Sequence, residues 1–202
     1  MFYEPSKGHG LPHDPSKAIV APRPIGWISS IGADGKLNLA PYSFFNALSS
    51  KPFLVWFSSG GEKDSSTFAA ESREFVVNLV GRDLAEKMNR TAVDSPRGIS
   101  EFEYAGLEAV PSRLVKPPRV AGVPAALECK VTEILLPKSL SGEDSGAVVV
   151  IGEVVGVYID DDYLVDGMFD IVKAGNVSRL GYMEYAAIDH VFSMRRPRWE
   201  QD

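Results

Sequence analysis

The sequence is poor in the residues that form disulfides and metal sites. Its 202 residues include one cysteine, Cys129, and three histidines, His9, His13 and His190. One cysteine excludes an intramolecular disulfide, and this set of residues matches neither a structural nor a catalytic zinc pattern. We therefore predict no metal site and a reduced, cytoplasmic setting.

Long apolar runs are also missing. No stretch approaches the ~20 consecutive apolar residues that a membrane-spanning helix needs. Residues 1–5 lack the basic and apolar regions that open a secretory signal. We expect neither a signal peptide nor a membrane span.

Positive charge is in deficit. The chain has 21 lysines and arginines against 27 aspartates and glutamates, a net charge of −6. Nucleic acids and anionic membranes select basic surfaces, so we expect neither as a partner. The basic run Arg195-Arg196-Pro197-Arg198 is interpreted as a solvated tail without a site role. Any anion that the chain binds must be captured by local groups.

The composition that is present favours a mainly β fold. Hydrophobic residues make up 45% of the chain, enough for a sizeable core, and 18 glycines and 14 prolines separate short apolar runs. Such a sequence pattern is typical of many strands joined by tight turns. We predict an N-terminal arm at 1–20 and a single domain at 21–202, most simply a small closed or nearly closed barrel with peripheral helices.

Local patterns predict the elements. Residues 25–31 and 37–40 form the clearest hairpin, around the turn signal Asp34-Gly35. Further strands are predicted at 53–58, 74–80, 125–136 and 147–157, the last two pairing as a long antiparallel ribbon. Short helices are predicted at Asp64–Ser72 and 82–89. The proline-rich stretch 95–124, which includes Pro96, is interpreted as an excursion over the barrel.

Residues 58–67 combine features that suit a phosphate group. They run from a strand end through two glycines into a helix start, with several hydroxyls and Lys63. Glycines let backbone amides approach an anion, and a helix N-terminus adds unpaired N–H groups and a positive dipole end. The spacing matches neither a Walker loop nor a Rossmann fingerprint. A phosphate cradle and an ordinary capped loop both fit this local pattern.

Other local groups are weaker. Residues 40–50 mix Tyr42, Phe44 and Phe45 with Asn46 and Ser49, which fits either a flat aromatic pocket or core residues and turn formers. Residues 176–182 place an arginine and a tyrosine around a glycine, a weak signal alone.

Hydrolytic chemistry has little support. There is no G-x-S-x-G elbow, and His190 is the only histidine outside the N-terminal region. Cys129 lies in an apolar strand pattern and is expected to be buried rather than nucleophilic. Glu128 and Glu153 lie in alternating strands and are expected to face outward, so a glycosidase pair is not indicated.

Seven segments, in order over about residues 22–182, resemble the flavin reductase-like family of FMN-binding split β-barrel proteins. They are 23–29 (RPIGWIS), 38–46 (NLAPYSFFN), 63–65 (KDS), 74–78 (EFVVN), 127–129 (LEC), 151–155 (IGEVV) and 178–181 (SRLG). Two departures from the family pattern stand out. Ser65 replaces a threonine and keeps the hydroxyl, whereas Tyr182 replaces a glycine and changes the pocket shape near Arg179.

The resemblance implies a six-stranded antiparallel Greek-key split β-barrel and a homodimer with FMN at or near the subunit interface. It also implies two groups of cofactor-binding residues and no catalytic side chain. Ser43, Asn46 and Ser49 would lie near the isoalloxazine edge, and Ser58, Lys63, Asp64, Ser65 and Thr67 around the ribityl phosphate. Arg179 is a candidate for stabilising flavin charge or a nicotinamide phosphate, or it is an ordinary surface arginine.

The function implied by the resemblance is an NAD(P)H-dependent flavin or ferric-type reductase. Hydride would pass from nicotinamide C4 to flavin N5, so that the cofactor rather than the protein carries the chemistry. A flavoredoxin-like, non-enzymatic FMN electron carrier with an electron-transfer protein partner is the alternative. A split barrel that binds haem, another cofactor or none is the third possibility.

Overall fold

A seven-stranded antiparallel sheet forms the framework of the protein, in a computed structural model that describes residues 1–93 and 99–199. The strands are β1 (Arg23–Pro24), β2 (Gly26–Ile31), β3 (Leu37–Tyr42), β4 (Phe45–Ser50), β5 (Phe53–Gly60), β6 (Glu74–Asn78), β7 (Ala109–Val110), β8 (Arg119–Val120), β9 (Ala125–Leu135), β10 (Ala147–Ile159), β11 (Leu164–Val165), β12 (Met168–Phe169), β13 (Val177–Arg179) and β14 (Tyr185–Ala187). The helices are α1 (Ser16–Ile19), α2 (Asp64–Ser72), α3 (Ala85–Arg90), α4 (Glu101–Tyr104) and α5 (Ile171–Ala174), with 3-10 turns at Pro5–Lys7, Arg82–Leu84 and Asp161–Tyr163.

The large sheet has the strand order β3-β2-β6-β9-β10-β5-β4, and its pairings are antiparallel. The predicted mainly β class and antiparallel split barrel are confirmed. The sheet carries seven strands rather than six because Phe45–Ser50, which was interpreted only as an aromatic stretch, pairs with β5.

The two edges of this sheet are consecutive in the chain. β3 ends at Tyr42 and β4 begins at Phe45, so only Ser43 and Phe44 connect them. A link of this length spans on the order of 10 Å, which brings the two ends of the sheet together and curls it. Among the described strands β3 and β4 are not paired with each other. The barrel is therefore split along this line.

The predicted local elements are found with small shifts. The hairpin β2–β3 closes where Ile31 pairs with Leu37, and β9 and β10 form the long ribbon, with two register shifts. Helix α2 has the predicted bounds, whereas the predicted helix at 82–89 divides into a 3-10 turn and α3. Residues 95–98 of the predicted excursion, including Pro96, lie outside the described residues.

Two apolar clusters occupy opposite faces of the sheet. One joins Ile28, Phe57 and Phe75 to Ala69 of α2 and fills the inside of the curled sheet. The other places Trp27 and Val76 against apolar residues of α3, α4 and the segment 107–123. The described part of the predicted excursion therefore covers the outer face of the barrel, as expected.

Glu128 and Glu153 both lie on the outer face of the sheet, as predicted, but their surroundings differ. Glu153 is exposed as expected, but Glu128 is buried, with 6% of its surface accessible. Its carboxylate accepts the backbone N–H groups of Arg113 at 2.9 Å and Leu114 at 2.6 Å. The excursion therefore covers an outward-facing position that would otherwise be in solvent.

The N-terminal segment is attached to the barrel through Arg23. This buried guanidinium donates to the carbonyl oxygens of Lys17 and Val20 before β1 and to that of Leu180 after β13. Ala18 packs so closely against Gly181 that a Cβ on this glycine would lie 2.4 Å from the Ala18 Cβ. None of the described helices is both long and apolar enough to cross a membrane.

Candidate functional site

A cleft of about 400 Å³ lies where the end of β3 meets the start of α2. The segment after α3 and the first residue of α4 complete its described walls. The lining residues are Asn38, Ala40, Pro41, Tyr42, Gly60, Lys63, Asp64, Ser65, Thr91, Ala92, Val93 and Glu101. This cleft contains the central part of the phosphate-cradle sequence.

The local sequence explains the shape of the wall formed by 60–66. Gly61 has a φ of +91°, which favours glycine, and a Cβ at Gly60 would meet no atom within 4 Å. Lys63 is the extended residue before α2, and the Ser66 hydroxyl accepts its N–H at 3.1 Å. The N-terminal end of a nine-residue helix therefore lies at the cleft, with the positive end of its dipole.

A buried hydrogen bond joins the two sides of the cleft. The Asn38 side-chain amide on β3 donates to the Ser65 hydroxyl at 2.7 Å, and both residues are buried. Because the Ser65 oxygen acts as the acceptor, its own hydrogen remains to be donated elsewhere. Asn38 belongs to the resembling segment 38–46, but no separate sequence signal marked it as a site residue.

The described part of the cleft does not have an excess of positive charge. Its cation is Lys63, and its carboxylates are Asp64 and Glu101. Glu101 is 5% exposed and accepts the backbone N–H of Leu39 at 3.0 Å. The sequence patterns did not single out Glu101, because its burial depends on the packing of α4 on β3. An anion here would depend on backbone N–H groups and the helix dipole as well as Lys63.

The predicted phosphate-binding residues separate into two sets. Lys63, Asp64 and Ser65 line the cleft together. Ser58 is half-buried on β5, where its N–H donates to the Phe44 carbonyl at 2.8 Å. Thr67 lies at a different depression, beside the β2–β3 turn, and does not line the cleft.

The residues predicted near the isoalloxazine edge follow β3 at the split of the barrel. Ser43 is half-buried in the link to β4, and Asn46 is exposed on β4 opposite Trp56. The Asn46 side-chain oxygen accepts the N–H of Ala47 at 2.8 Å. Ser49 is half-buried beyond a register shift in the same strand. These three lie on the surface that continues from Tyr42 at the cleft wall.

Arg179 is placed apart from the cleft. It lies on β13 opposite Arg23, its guanidinium stacks 4.4 Å from the ring centre of Tyr185, and it donates to the Tyr182 carbonyl. These contacts stabilise the β13–β14 hairpin. They leave the proposed role of Arg179 in binding as a prediction.

Cys129 is fully buried inside the barrel. Burial, reinforced by the negative charge of neighbouring Glu128, raises the pKa of the Cys129 thiol. The thiol is therefore protonated near neutral pH, and the expectation that it is a core residue is confirmed.

Comparisons with known proteins agree with this arrangement. A family model described as flavin reductase like domain matches residues 20–172. An uncharacterized protein of Halalkalibacterium halodurans is 37% identical over 188 residues, which cover 91% of this chain and 90% of that protein. Arg179 lies beyond the matched range, whereas the cleft lies within it.

Two solved structures share both the fold and part of the sequence. Nitrilotriacetate monooxygenase component B from Bacillus cereus superposes with a TM-score of 0.86 at 27% identity, covering 96% of this chain and 98% of that one. The 2-nitrobenzoate 2-nitroreductase of Pseudomonas fluorescens superposes with a TM-score of 0.81 at 28% identity, covering 93% and 91%.

Proposed function

We propose, from the premise that the chain belongs to the flavin reductase-like family, that it binds FMN and acts as an NAD(P)H-dependent flavin or ferric-type reductase. The observation that carries this proposal is the cleft at the N-terminus of α2, which contains Lys63, Ser65 and open glycine backbone. The two superposing proteins are named as a monooxygenase component and a nitroreductase, which suits redox chemistry in this fold.

The donor set of the cleft fits a phosphate monoester. Lys63 supplies charge, the Ser65 hydroxyl supplies a hydrogen, and the first turn of α2 supplies backbone N–H groups. Gly60 and Gly61 carry no side chain that would fill the space above them. These backbone donors add to the attraction of Lys63 for a phosphate. We assign the ribityl phosphate to this end.

The flavin ring would then lie along the split of the barrel, over the link between β3 and β4. Ser43, Asn46 and Ser49 are the polar side chains on that surface, and Phe44 is 49% exposed beside them. Backbone N–H groups along this unpaired stretch would stabilise negative charge at the flavin N1–C2=O edge. Arg179 remains a candidate for a nicotinamide phosphate.

Bound FMN would supply the redox chemistry by accepting hydride at N5 from nicotinamide C4. The chain itself would hold the phosphate, orient the ring and leave one ring face open to the second reactant. This division of labour needs no nucleophilic side chain, in keeping with the burial of Cys129.

A homodimer is the second part of the proposal. Large apolar side chains are exposed on β10 and on the small hairpin β11–β12, where soluble monomers rarely leave a contiguous apolar patch. They are Val155, Val157, Leu164, Val165 and Met168. We propose that a second copy covers this face.

An electron-transfer protein remains the second candidate function. Arg179, the candidate for a nicotinamide phosphate, does not line the cleft and stacks on Tyr185 instead. A flavoprotein that receives electrons from a protein partner, as a flavoredoxin-like carrier would, needs no nicotinamide site.

Anaerobic reduction separates these candidates. The purified protein should show a flavin spectrum, and FMN should be released on denaturation. Addition of NADH or NADPH without oxygen should bleach the visible absorbance of the oxidised flavin if the protein is a reductase. A yellow protein that neither nucleotide bleaches would contradict the reductase and favour the carrier. A colourless protein that binds no added FMN would contradict both.

Charge reversal at Lys63 tests the phosphate assignment. Lys63→Glu should weaken FMN binding by ~10-fold or more, because it removes the cation and adds an anion at the helix N-terminus. FMN fluorescence quenching would give the dissociation constant. Lys138→Glu makes the same charge change at the exposed loop between β9 and β10 and should leave FMN affinity within ~2-fold. Equal affinities in both variants would place the phosphate elsewhere.

A further inference from the structure

The segment 191–199, which we name the basic arm, is not explained by the proposed cofactor site. It follows β14 without helix or strand, and its large apolar side chains are almost entirely exposed. Val191 is 64% exposed, Phe192 81%, Met194 83% and Trp199 90%. Large apolar side chains that are exposed together in one segment mark a surface that another molecule covers.

An apolar cavity lies where this segment leaves the barrel. The cavity measures about 330 Å³, and we name it the mouth cavity. Its lining includes Ile25, Phe45, Leu127, Phe169, Ile171 and Ile188. Ile188 is three positions before the basic arm, so the arm begins at the rim of the cavity without filling it.

The mouth cavity is continuous with the face on which we propose a second copy. Leu127 of its lining pairs directly with Val157 of β10, which is 57% exposed. Phe169 pairs with Leu164 in the exposed hairpin β11–β12. In a twofold dimer through this face, both mouth cavities would lie at the same interface, each within reach of the arm of the other subunit.

Charge favours the same contact. The arm carries Arg195, Arg196 and Arg198, and without these three arginines the net charge of −6 would be −9. Asp160, Asp161 and Asp162 follow β10 directly and precede the hairpin that supplies Phe169 to the mouth cavity. A basic segment is thus complementary to the acidic turn beside the cavity.

We infer that the basic arm of each subunit crosses to the second copy, packs its apolar side chains at that copy's mouth cavity and sets its arginines against the acidic turn 160–162. Nine extended residues reach on the order of 30 Å, enough to cross an interface from its rim. This inference rests on the homodimer in the proposed function and is independent of the flavin that the cleft binds.

Mixed dimers test the crossing directly. The native chain carrying ¹⁵N is mixed with an excess of a Phe192→Cys chain that carries a nitroxide but no ¹⁵N. The native Cys129 is buried and does not compete for the label. The amides of Phe169 and Ile171 in the ¹⁵N chain should broaden. A nitroxide at Leu140→Cys, on the fully exposed loop between β9 and β10, should leave them sharp.

The reverse labelling distinguishes the alternatives. A ¹⁵N chain that itself carries the nitroxide at position 192 is diluted into an excess of unlabelled native chain. Broadening of Phe169 and Ile171 in this sample alone would show that the arm folds back on its own barrel and would overturn the inference. Sharp signals in both samples would show a solvated arm and would also overturn it.

Self-association provides a second measure. Arg195→Glu with Arg196→Glu should raise the dimer dissociation constant by at least ~10-fold in sedimentation equilibrium. Lys36→Glu with Lys138→Glu reverses the same number of charges away from the mouth cavity and should change it by less than ~2-fold. A monomeric native chain, or equal constants, would overturn the inference. A dimer that binds no flavin would contradict only the proposed cofactor.

Discussion

A buried carboxylate helps to hold the described excursion against the sheet. Glu128 lies on β9 and accepts two successive backbone N–H groups, those of Arg113 and Leu114. Hydrogen bonds to a charged acceptor are stronger than neutral ones, and these N–H groups would otherwise need another partner. The loop before β8 is therefore positioned by a side chain from the barrel rather than by its own secondary structure.

Replacing this carboxylate should destabilise the fold. Glu128→Gln keeps the shape but exchanges one accepting oxygen for an amide donor, which faces a backbone N–H. We expect the free energy of unfolding to fall by about 1.5–3 kcal/mol, measured by urea denaturation followed by tryptophan fluorescence. Glu153→Gln on the adjacent strand changes an exposed side chain and should cost less than about 0.5 kcal/mol. Equal losses would show that the two N–H contacts contribute little.

Glu128 also shows what a strand pattern does not contain. Alternation along β9 and β10 predicts that Glu128 and Glu153 face away from the barrel core. Their environments differ because a loop that is distant in sequence covers Glu128 and leaves Glu153 exposed. Glu101 is similar, since its burial in the cleft depends on the packing of α4 against β3. The residues around a glutamate in the sequence do not reveal that a distant segment will cover its side chain.

The β9–β10 ribbon depends on a glycine in its centre. Gly152 lies at a register shift, and a Cβ there would be 2.5 Å from the Phe75 ring and 3.3 Å from the Cys129 Cβ. Neither side chain can move away easily, because both are fully buried inside the barrel. The Phe75 ring therefore packs on the backbone of Gly152, in the space that a side chain would occupy.

Adding a methyl group at this position should therefore strain the core. Gly152→Ala is expected to lower the free energy of unfolding by about 1–3 kcal/mol in denaturant titration. The matched change Gly60→Ala, in the cofactor-free protein, adds the same group where no atom lies within 4 Å and should be close to neutral. A neutral Gly152→Ala would mean that the Phe75 ring shifts without cost.

Elements with strong local signals were predictable, and an edge strand was not. Helix α2 begins at a cluster of capping-type residues, Asp64, Ser65 and Ser66, and ends before β6, and its bounds match the prediction. Strand β4 has the sequence FNALSS, with polar residues on both faces and little burial. Its existence depends on pairing with β5, so composition alone did not reveal it.

In the candidate site, too, the residues with a local sequence signal were predictable, and those placed by distant parts of the chain were not. Lys63, Asp64 and Ser65 are neighbours in sequence and line one cleft together, because Lys63 is the residue before α2 and the other two begin its first turn. Thr67 is only two positions further, but the helical rotation turns it toward the β2–β3 turn instead. Arg179 is distant in sequence, and its placement depends on the hairpin β13–β14.

The assembly of separate parts of the chain depends on Arg23. Its guanidinium donates to carbonyls of residues 17 and 20 on one side and of residue 180 on the other, so it connects segments from opposite ends of the sequence. The backbone hydrogen bonds of residues 18–20 stay within the N-terminal segment, and Ala18 packs against Gly181. The N-terminal segment and the β13–β14 hairpin should therefore loosen together.

Arg23→Met tests this coupling. It keeps much of the aliphatic bulk but removes the donors, so amide hydrogen exchange should accelerate in both 16–20 and 180–184. Protection in β6 and β9 should be unchanged, because their pairing does not involve Arg23. Faster exchange in only one of the two segments would show that they are held independently.

The split of the barrel has a consequence for solubility. Strand β3 is an edge, and an edge strand offers unpaired backbone groups to other chains. Pro41 lies in this strand opposite Trp27 and lacks an N–H to donate, a placement that sheets tolerate only at their margins. Without Pro41, the free edge of β3 beside the cleft would offer a continuous row of backbone groups to which another chain could add a strand. Pro41 interrupts this row at the wall of the cleft.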